Sequence, residues 1–158
     1  MPVDVVNISV FVAKLLGYDN YRPEAGILNY YHLNSTLNAH QDRSELYMEA
    51  PLISISFGQP AIFLIGDSTK DTKPYALLIK SGDIVIMSKS SRNAYHGITR
   101  VLKEDDLNKL YFEYSSKVES AEDDDHDNEY IISDQEWQEL YRYIGINRIN
   151  YSIRQVYE

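Results

Sequence analysis

The sequence has no cysteine among its 158 residues. Disulfides, thiolate nucleophiles and cysteine-ligated zinc or iron–sulfur centres are therefore excluded, and any metal must be held by histidine, aspartate or glutamate. No apolar run approaches the roughly 20 residues that cross a bilayer, and residues 1–7 contain no lysine or arginine. We therefore predict an intracellular protein with no membrane partner and no targeting segment at this end of the chain.

Positive charge is also scarce. Fifteen lysines and arginines stand against 24 aspartates and glutamates, which gives a net charge of −9 and a pI near 4.9. This balance argues against an extended nucleic-acid surface, because phosphates favour basic partners. Much of the acidity is local, however. Residues 119–129 contain no lysine or arginine and are typical of a solvated loop, in which we expect His126 to bind no metal.

The apolar pattern predicts one domain that is mainly β with flanking helices. Isoleucine and serine alternate in Leu52–Phe57, which indicates a half-buried strand with two distinct faces. A Ser81-Gly82 turn predicts a hairpin between the strands on either side of it. Short, closely spaced strands favour a sandwich or barrel. Strands are predicted at residues 27–33, 52–57, 61–65, 75–79, 83–87 and 148–154, with a turn at 58–60.

Three helices are predicted, at residues 8–17, at 104–114 and after Ser133. The first ends at Gly17. The last begins with a capping box of Ser133 and Glu136 and ends at Gly145. The first helix is predicted to be amphipathic, and the apolar face of the last helix is expected to lie in the core. Their apolar faces are Val10, Phe11, Leu15 and Leu16 in the first helix, and Trp137, Leu140, Tyr141 and Ile144 in the last.

His40 and Asp42 are candidate metal ligands because residues two apart on a strand point to the same side. His96, which lies at a predicted strand end, could supply the third ligand. Two histidines and one carboxylate on one face of an octahedron form the site of non-heme Fe(II) oxygenases, which leaves positions open for a chelating co-substrate and O₂. The spacing alone leaves a second interpretation open, in which His40 and His96 are ordinary hydrogen-bonded histidines.

The last predicted strand has one row of polar side chains: Arg148, Asn150, Ser152 and Arg154. Two arginines on an inward face are costly unless they meet anions. The planar guanidinium matches a carboxylate in a bidentate manner. A dicarboxylate co-substrate that chelates iron at one end would explain the row, whereas an exposed edge strand with solvated arginines is the alternative.

Six short motifs follow one another between Glu24 and Val156. They are Asn29-Tyr-Tyr31, His40-Gln-Asp42-Arg-Ser-Glu45, Ser54-Ile-Ser-Phe-Gly58, Ser81-Gly-Asp83, Arg92 with His96-Gly97, and Arg148-Ile-Asn-Tyr-Ser-Ile-Arg154. This ordered set resembles the AlkB family of Fe(II)- and 2-oxoglutarate-dependent nucleic-acid dealkylases. Residues 22–31, 42–45 and 57–64 are most similar to its AlkB homologue 1 branch.

The resemblance implies a double-stranded β-helix (jelly-roll) core and a site within it. It implies iron ligation by His40, Asp42 and His96. The distal carboxylate of 2-oxoglutarate would pair with Arg148, helped by Tyr31 and Asn150. The family's remaining motif positions imply further contacts here: Asn29 and Arg154 at the chelating end of 2-oxoglutarate, and Arg43, Ser44 and Glu45 toward the substrate.

The resemblance further implies a monomer in the nucleus, cytoplasm or mitochondrion that oxidatively demethylates N-methylated bases in tRNA or DNA. Such a reaction consumes O₂ and 2-oxoglutarate and yields formaldehyde, succinate and CO₂. Little sequence precedes the first motif, where the family has a lid over the nucleotide. This departure keeps two alternatives open, a protein-directed oxygenase and a non-catalytic remnant of the core. Local phosphate contacts are predicted for Lys89, Arg92, Arg100 and Lys103.

Overall fold

Two antiparallel sheets of four strands each form the framework of the described chain. The computed structural model describes residues 1–103 and 134–158. Its strands are β1 (Ala25–His32), β2 (Leu37–His40), β3 (Leu52–Gly58), β4 (Ala61–Ile65), β5 (Tyr75–Ile79), β6 (Ile84–Met87), β7 (His96–Val101) and β8 (Asn147–Arg154). The first sheet has the order β1-β8-β3-β6 and the second β2-β7-β4-β5. The helices are α1 (Val3–Leu15), α2 (Asp134–Ile144) and a short 3₁₀ helix, Lys89–Asn93. The predicted class, mainly β with flanking helices, is confirmed.

Strand β8 lies in the middle of the first sheet and has two different faces. Ile153 on one face pairs with Ile53 of β3 and packs with Ala13 of α1 in a buried apolar cluster. Arg148 and Asn150 on the other face line a cavity between the two sheets. Side chains of the last strand therefore alternate between two environments, as the sequence predicted. The apolar side chains pack in the core beneath α1, and the polar side chains face the cavity between the sheets.

Strand β3 is buried on both faces from Leu52 to Ser56 apart from a partly buried Ser54, so the prediction of a half-buried strand is wrong over this stretch. Its serine face is turned toward the cavity, where Ser54 and Ser56 accept hydrogen bonds from β8. Ser56 is fully buried, whereas Phe57 on the opposite face is exposed. Alternating serines normally indicate a solvated face of a strand. Here their hydroxyls accept hydrogen bonds from polar side chains of the neighbouring strand.

The hairpin predicted between β5 and β6 is also wrong. Strand β5 pairs with β4 in the second sheet, and β6 pairs with β3 in the first. The Ser81-Gly82 turn therefore carries the chain from one sheet to the other. Its backbone is bonded to β3, because Gly82 N–H donates to the Ser56 carbonyl at 2.8 Å. Turn residues predict a tight turn but do not specify which strands pair.

Helix α1 begins five residues before the predicted start and buries a different face. Pro2 precedes its first turn, where a missing N–H costs no hydrogen bond, and Asp4 in that turn favours the helix dipole. Ser9 and Ala13 are buried, whereas Leu15 of the predicted apolar face is 70% exposed. The small residues allow the helix to lie close against the sheet. The helix ends before Gly17, as predicted.

Helix α2 ends before Gly145 as predicted, but its aromatic stripe is not in the core. Tyr141 is 69% exposed, and Trp137 and Leu140 are exposed as well. The helix is held at its C-terminal end, where Tyr143 meets the Tyr30 ring edge-on at 6.3 Å. Other predictions lie outside the described residues: the helix at 104–114, the acidic loop at 119–129 with His126, and Ser133.

No helix in residues 1–103 and 134–158 is both long enough and apolar enough to span a membrane.

Candidate functional site

The fold brings His40, Asp42 and His96 together, each from a different element. His40 ends β2 and His96 begins β7, and the two residues face each other across that strand pair. Asp42 lies just beyond β2, so the expectation that it shares a strand with His40 is wrong. One ligand atom from each of the three residues lies within 4.8 Å of the others. Side chains held at the end of the strand, rather than the alternation within it, therefore create the cluster.

Both imidazoles are held through Nδ1, and the Nε2 atom of each faces Asp42. The Nδ1 atoms lie 2.9 Å from the Asn38 carbonyl for His40 and 3.1 Å from the Ala94 carbonyl for His96. Because a carbonyl only accepts, each Nδ1 carries the proton and each Nε2 keeps its lone pair. The Nε2 atoms lie 3.8 Å and 3.4 Å from the Asp42 carboxylate oxygens. Two nitrogen donors and one carboxylate therefore converge on a single point.

Gly97 sets how closely the two histidine-bearing strands approach. A Cβ atom at this position would lie 2.5 Å from the Leu37 carbonyl oxygen and 3.2 Å from the Ala39 nitrogen, both on β2. Backbone cannot move aside as a flexible side chain does, so any larger residue would separate β2 from β7. The absence of a side chain at Gly97 thus contributes to the distance between His40 and His96.

The carboxylate of Asp42 stays ionised in this site. Burial by itself would raise its pKa, but the contact with His96 and the charge of Arg154 outweigh that effect and lower the pKa to about 2. Arg154 Nη2 lies 2.9 Å from Asp42 Oδ1. The group is therefore a charged oxygen donor across the physiological pH range, as metal ligation requires.

A cavity of about 220 Å³ extends from this cluster between the sheets. Its floor is formed by the polar face of β8 and the serine face of β3, and its walls include Phe63 and Ile98 of the second sheet. Every residue predicted to contact 2-oxoglutarate lines it: Asn29, Tyr31, Arg148, Asn150 and Arg154. The structure therefore places the predicted metal and co-substrate residues around one space.

Arg148 is a buried cation without a carboxylate partner in the described part of the chain. Only 2% of the residue is exposed. Its guanidinium donates to Ser56 Oγ at 2.7 Å and to the Gln59 carbonyl at 3.2 Å, both neutral groups, and its Nε has no partner. Burial lowers the pKa of Arg148. An isolated buried charge is costly, so this end of the cavity favours an anion.

The neighbouring polar groups are arranged around that cation. Asn150 donates to Ser54 Oγ at 2.6 Å, and its side-chain oxygen accepts from Ser152 at 3.2 Å. Burial raises the pKa of Tyr31, although the charge of Arg148 opposes this effect. The Tyr31 phenol therefore keeps its proton and can donate a hydrogen bond into the cavity.

Two residues predicted to contact the substrate or its phosphates are instead inside the protein. Arg92 is 3% exposed and Glu45 is 6% exposed, and their side chains form an ion pair of 2.7 Å. The prediction that Arg92 contacts phosphate is therefore wrong, since no phosphate reaches it. Lys89, Arg100 and Lys103 are exposed, as are Arg43 and Ser44.

One residue of the site has no signal in the sequence. Gln41 lies between the two β2-side ligands and donates through Nε2 to the Asn93 carbonyl and, at 3.2 Å, to the Ser68 carbonyl. These bonds fix the loop that carries Asp42 against the segment that leads to His96. A glutamine between two candidate ligands is indistinguishable from a solvated one in a single sequence.

The donor set fits an Fe(II) ion with a bidentate anionic co-substrate, because three ligands on one side leave positions open and a buried cation stands at a distance. The model of the 2OG-Fe(II) oxygenase superfamily matches residues 1–154. The chain belongs to this superfamily. This confirms the predicted family and its cofactors, Fe(II) and 2-oxoglutarate.

Relatives of the chain are AlkB proteins. It is 42% identical over 155 residues to the human nucleic acid dioxygenase ALKBH1, covering 98% of this chain and 40% of that protein. It is 43% identical over 83 residues to the tRNA demethylase abh1 of Schizosaccharomyces pombe, covering 52% of this chain and 28% of that protein. The chain thus spans less than half the length of either relative.

A solved structure of OsALKBH1 shares the fold with a TM-score of 0.57. Sequence identity is 22%, and the match covers 96% of this chain and 60% of that chain.

Proposed function

We propose that the chain is the catalytic core of an Fe(II)- and 2-oxoglutarate-dependent demethylase that acts on N-methylated bases in tRNA or DNA. The observation that carries this proposal is the pairing, within one cavity, of a His-Asp-His cluster with Arg148, a buried cation that lacks an acidic partner in the described residues. The names of the human and S. pombe relatives support the nucleic-acid substrate.

We also infer that the two sheets are the halves of a jelly roll that forms a single domain over residues 1–158. Two four-stranded antiparallel sheets enclose the cavity, and the chain changes sheet between β5 and β6. This arrangement is the double-sheet solution to unpaired strand edges. The fold shared with OsALKBH1 supports the inference.

His40, Asp42 and His96 would hold the iron in this proposal. The Asn38 and Ala94 carbonyls keep the two imidazoles in the tautomer that ligates through Nε2. Arg154 occupies Oδ1 of Asp42 and so leaves Oδ2 directed toward His96. When bound, the iron would supply the oxidative chemistry. That chemistry couples the decarboxylation of 2-oxoglutarate by O₂ to the hydroxylation of an N-methyl group.

The polar row of β8 would hold 2-oxoglutarate along its length. Arg148 would neutralise the distal carboxylate, with hydrogen bonds from Tyr31 and Asn150. Arg154 and Asn29 would lie at the chelating end, where the Arg154 Nε is buried and has no hydrogen-bond partner. A pocket between the sheets with fixed donors would position the co-substrate for reaction.

The charge of the chain does not oppose a nucleic-acid partner once its distribution is considered. Residues 104–133 contain 11 acidic and two basic residues, which account for the whole net charge of −9. The remaining residues contain 13 of each sign. Lys89, Arg100 and Lys103 are exposed on the segments around β7, and we propose them as phosphate contacts, with Arg43 and Ser44 toward the base.

Turnover with methylated nucleic acid tests the proposal. Protein supplied with Fe(II), 2-oxoglutarate and tRNA containing N1-methyladenosine is expected to release formaldehyde and succinate in equal amounts. Asp42→Ala is the matched control and should release neither. Absence of succinate from the wild-type protein with any methylated nucleic acid would contradict the proposal.

A parallel reaction with a basic histone-tail peptide separates the remaining alternatives. Succinate formation stimulated by the peptide and not by nucleic acid would indicate a protein-directed oxygenase. The monomeric state and the intracellular location stay predictions.

A further inference from the structure

Arg92 connects two segments that each deliver a candidate ligand. It lies on the 3₁₀ helix just before β7, four residues ahead of His96. Its Nη1 donates to the Asp42 carbonyl at 2.8 Å, and its Nε donates to the Ala50 carbonyl at 3.2 Å. A single side chain therefore ties the loop of Asp42 to the segment that carries His96.

Glu45 lies between two buried guanidiniums. Its Oε2 is 2.7 Å from Arg92 Nη2, and its Oε1 is 2.6 Å from Arg154 Nη1. Ser44 Oγ adds a hydrogen bond to Oε1 at 2.9 Å. Each oxygen of the carboxylate is thus engaged, and Glu45 joins Arg92 to the arginine that contacts Asp42.

The loop needs such fixing because Asp42 lies outside the strands. Past His40 no ladder hydrogen bond holds the backbone of residues 41–51 in a sheet. Ligands of a metal must be held within about 0.5 Å of their working positions. The contacts of Arg92 fix the Asp42 backbone, and those of Arg154 fix its carboxylate.

We propose that Arg92 and Glu45 are positioning residues for the metal ligands, an inference that rests on the proposed function. Glu45 keeps Arg154 shared between two carboxylates. Without that partner, Arg154 could turn its fork onto both oxygens of Asp42, a geometry that guanidinium and carboxylate favour. Asp42 would then lose the oxygen that it offers to the metal.

Metal affinity, measured without turnover, tests the inference. We compare wild type, Glu45→Gln and Arg92→Lys by calorimetric titration with Mn(II), which replaces Fe(II) without being oxidised by air. Removing a group that orients a metal ligand weakens affinity by about 10- to 100-fold. We expect that loss for Glu45→Gln and a loss of about 10-fold for Arg92→Lys, which keeps the charge but not the three contacts.

Ser90→Ala is the matched control, because Ser90 lies on the same 3₁₀ helix but is exposed. Its Mn(II) affinity should equal that of wild type. A spectroscopic measurement separates positioning from folding. The visible absorption of Co(II)-loaded protein reports ligand geometry and should change in Glu45→Gln but not in Ser90→Ala. Circular dichroism at the titration temperature identifies the folded variants.

A lower melting temperature with unchanged Mn(II) affinity and unchanged Co(II) absorption in either variant would overturn the inference, because it would show a purely structural ion pair. Wild-type protein that binds neither Mn(II) nor 2-oxoglutarate would instead contradict the proposed function. Because Arg92→Lys retains the buried charge, it provides a second folded variant if Glu45→Gln fails to fold.

Discussion

Arg148 and Arg154 lie on the same face of β8, six residues apart, and both are buried. Their surroundings are nevertheless opposite. Arg154 contacts the carboxylates of Asp42 and Glu45 at 2.9 Å and 2.6 Å. Within residues 1–103 and 134–158, Arg148 donates hydrogen bonds to a hydroxyl and a backbone carbonyl and has no carboxylate partner. One cation is neutralised by carboxylates of the fold, whereas the other is surrounded by neutral groups in the described part of the chain.

This difference predicts that Arg154 contributes mainly to the stability of the fold and Arg148 mainly to the binding of a ligand, although both lie on one strand. A buried ion pair that loses one partner leaves an uncompensated charge, which destabilises the protein strongly. A buried cation with no acidic partner contributes no such pair, so its removal should affect the ligand and spare the fold. The two ends of β8 therefore predict two different phenotypes for the same substitution.

Arg154→Met should give the largest effect on folding. It leaves Asp42 and Glu45 without their shared cation, and we expect the free energy of unfolding to fall by about 3 to 5 kcal/mol. Urea denaturation of the metal-free protein measures this change. A loss below about 1 kcal/mol would show that the ion pairs do not stabilise the fold.

Arg148→Met should leave the stability of the fold nearly unchanged and weaken the binding of the co-substrate. We expect the free energy of unfolding to change by less than about 1 kcal/mol, since an unpaired buried charge is replaced by an apolar side chain. Affinity for 2-oxoglutarate in the Mn(II)-loaded protein should fall by about 2 to 5 kcal/mol. Calorimetric titration measures it, and equal destabilisation in the two methionine variants would remove the distinction.

Ser56→Ala tests the neutral partners of Arg148 more gently. The substitution removes the hydroxyl that accepts from Arg148 at 2.7 Å, which should weaken 2-oxoglutarate binding by about 1 kcal/mol. Ser9→Ala is the matched control, because Ser9 is equally buried but lies on α1. Identical affinities in the two variants would show that Ser56 does not orient the guanidinium.

Acid should distinguish the two ends of β8 as well. Hydrogen bonds from Arg92 and Arg154 lower the pKa of Glu45 despite its burial, and the pKa of Asp42 is lowered to about 2. Carboxylates with a depressed folded pKa stabilise the protein above their unfolded pKa, near 4, and this stabilisation is lost as the pH falls through the folded pKa. The unfolding free energy of the wild-type protein should therefore decrease from about pH 5 to pH 2. The decrease should be less steep in Arg154→Met, whereas Arg148→Met should have the slope of the wild type. Parallel slopes in all three proteins would contradict this assignment.

Side chains that must converge on a ligand were easier to predict than those that support them. Residue type indicates His40, Asp42 and His96, and a period of two indicates the polar row of β8. The structure brings these side chains around one cavity. Glu45 and Arg92 are charged, and charge in a sequence suggests exposure. Only tertiary contacts show that the two residues neutralise each other inside the protein.

The incorrect predictions for the fold have a related cause. The stripe that includes Trp137 and Tyr141 has the spacing of a core helix face, yet α2 touches the sheet only near its end. The Ser81-Gly82 turn was located correctly, but strand pairing depends on both sheets at once. Local pattern indicates which segments form helices, strands and turns, and long-range packing determines what they contact.

The crossing at Ser81-Gly82 has a consequence for how the chain can vary in length. The segment is fastened to β3 at Ser56 and Gly58, and Ser56 in turn holds Arg148. An inserted residue here would shift the floor of the cavity beneath the ligand. The connection between β4 and β5, residues 66–74, joins neighbouring strands of one sheet over an exposed surface. Insertions can accumulate there while the crossing keeps its length.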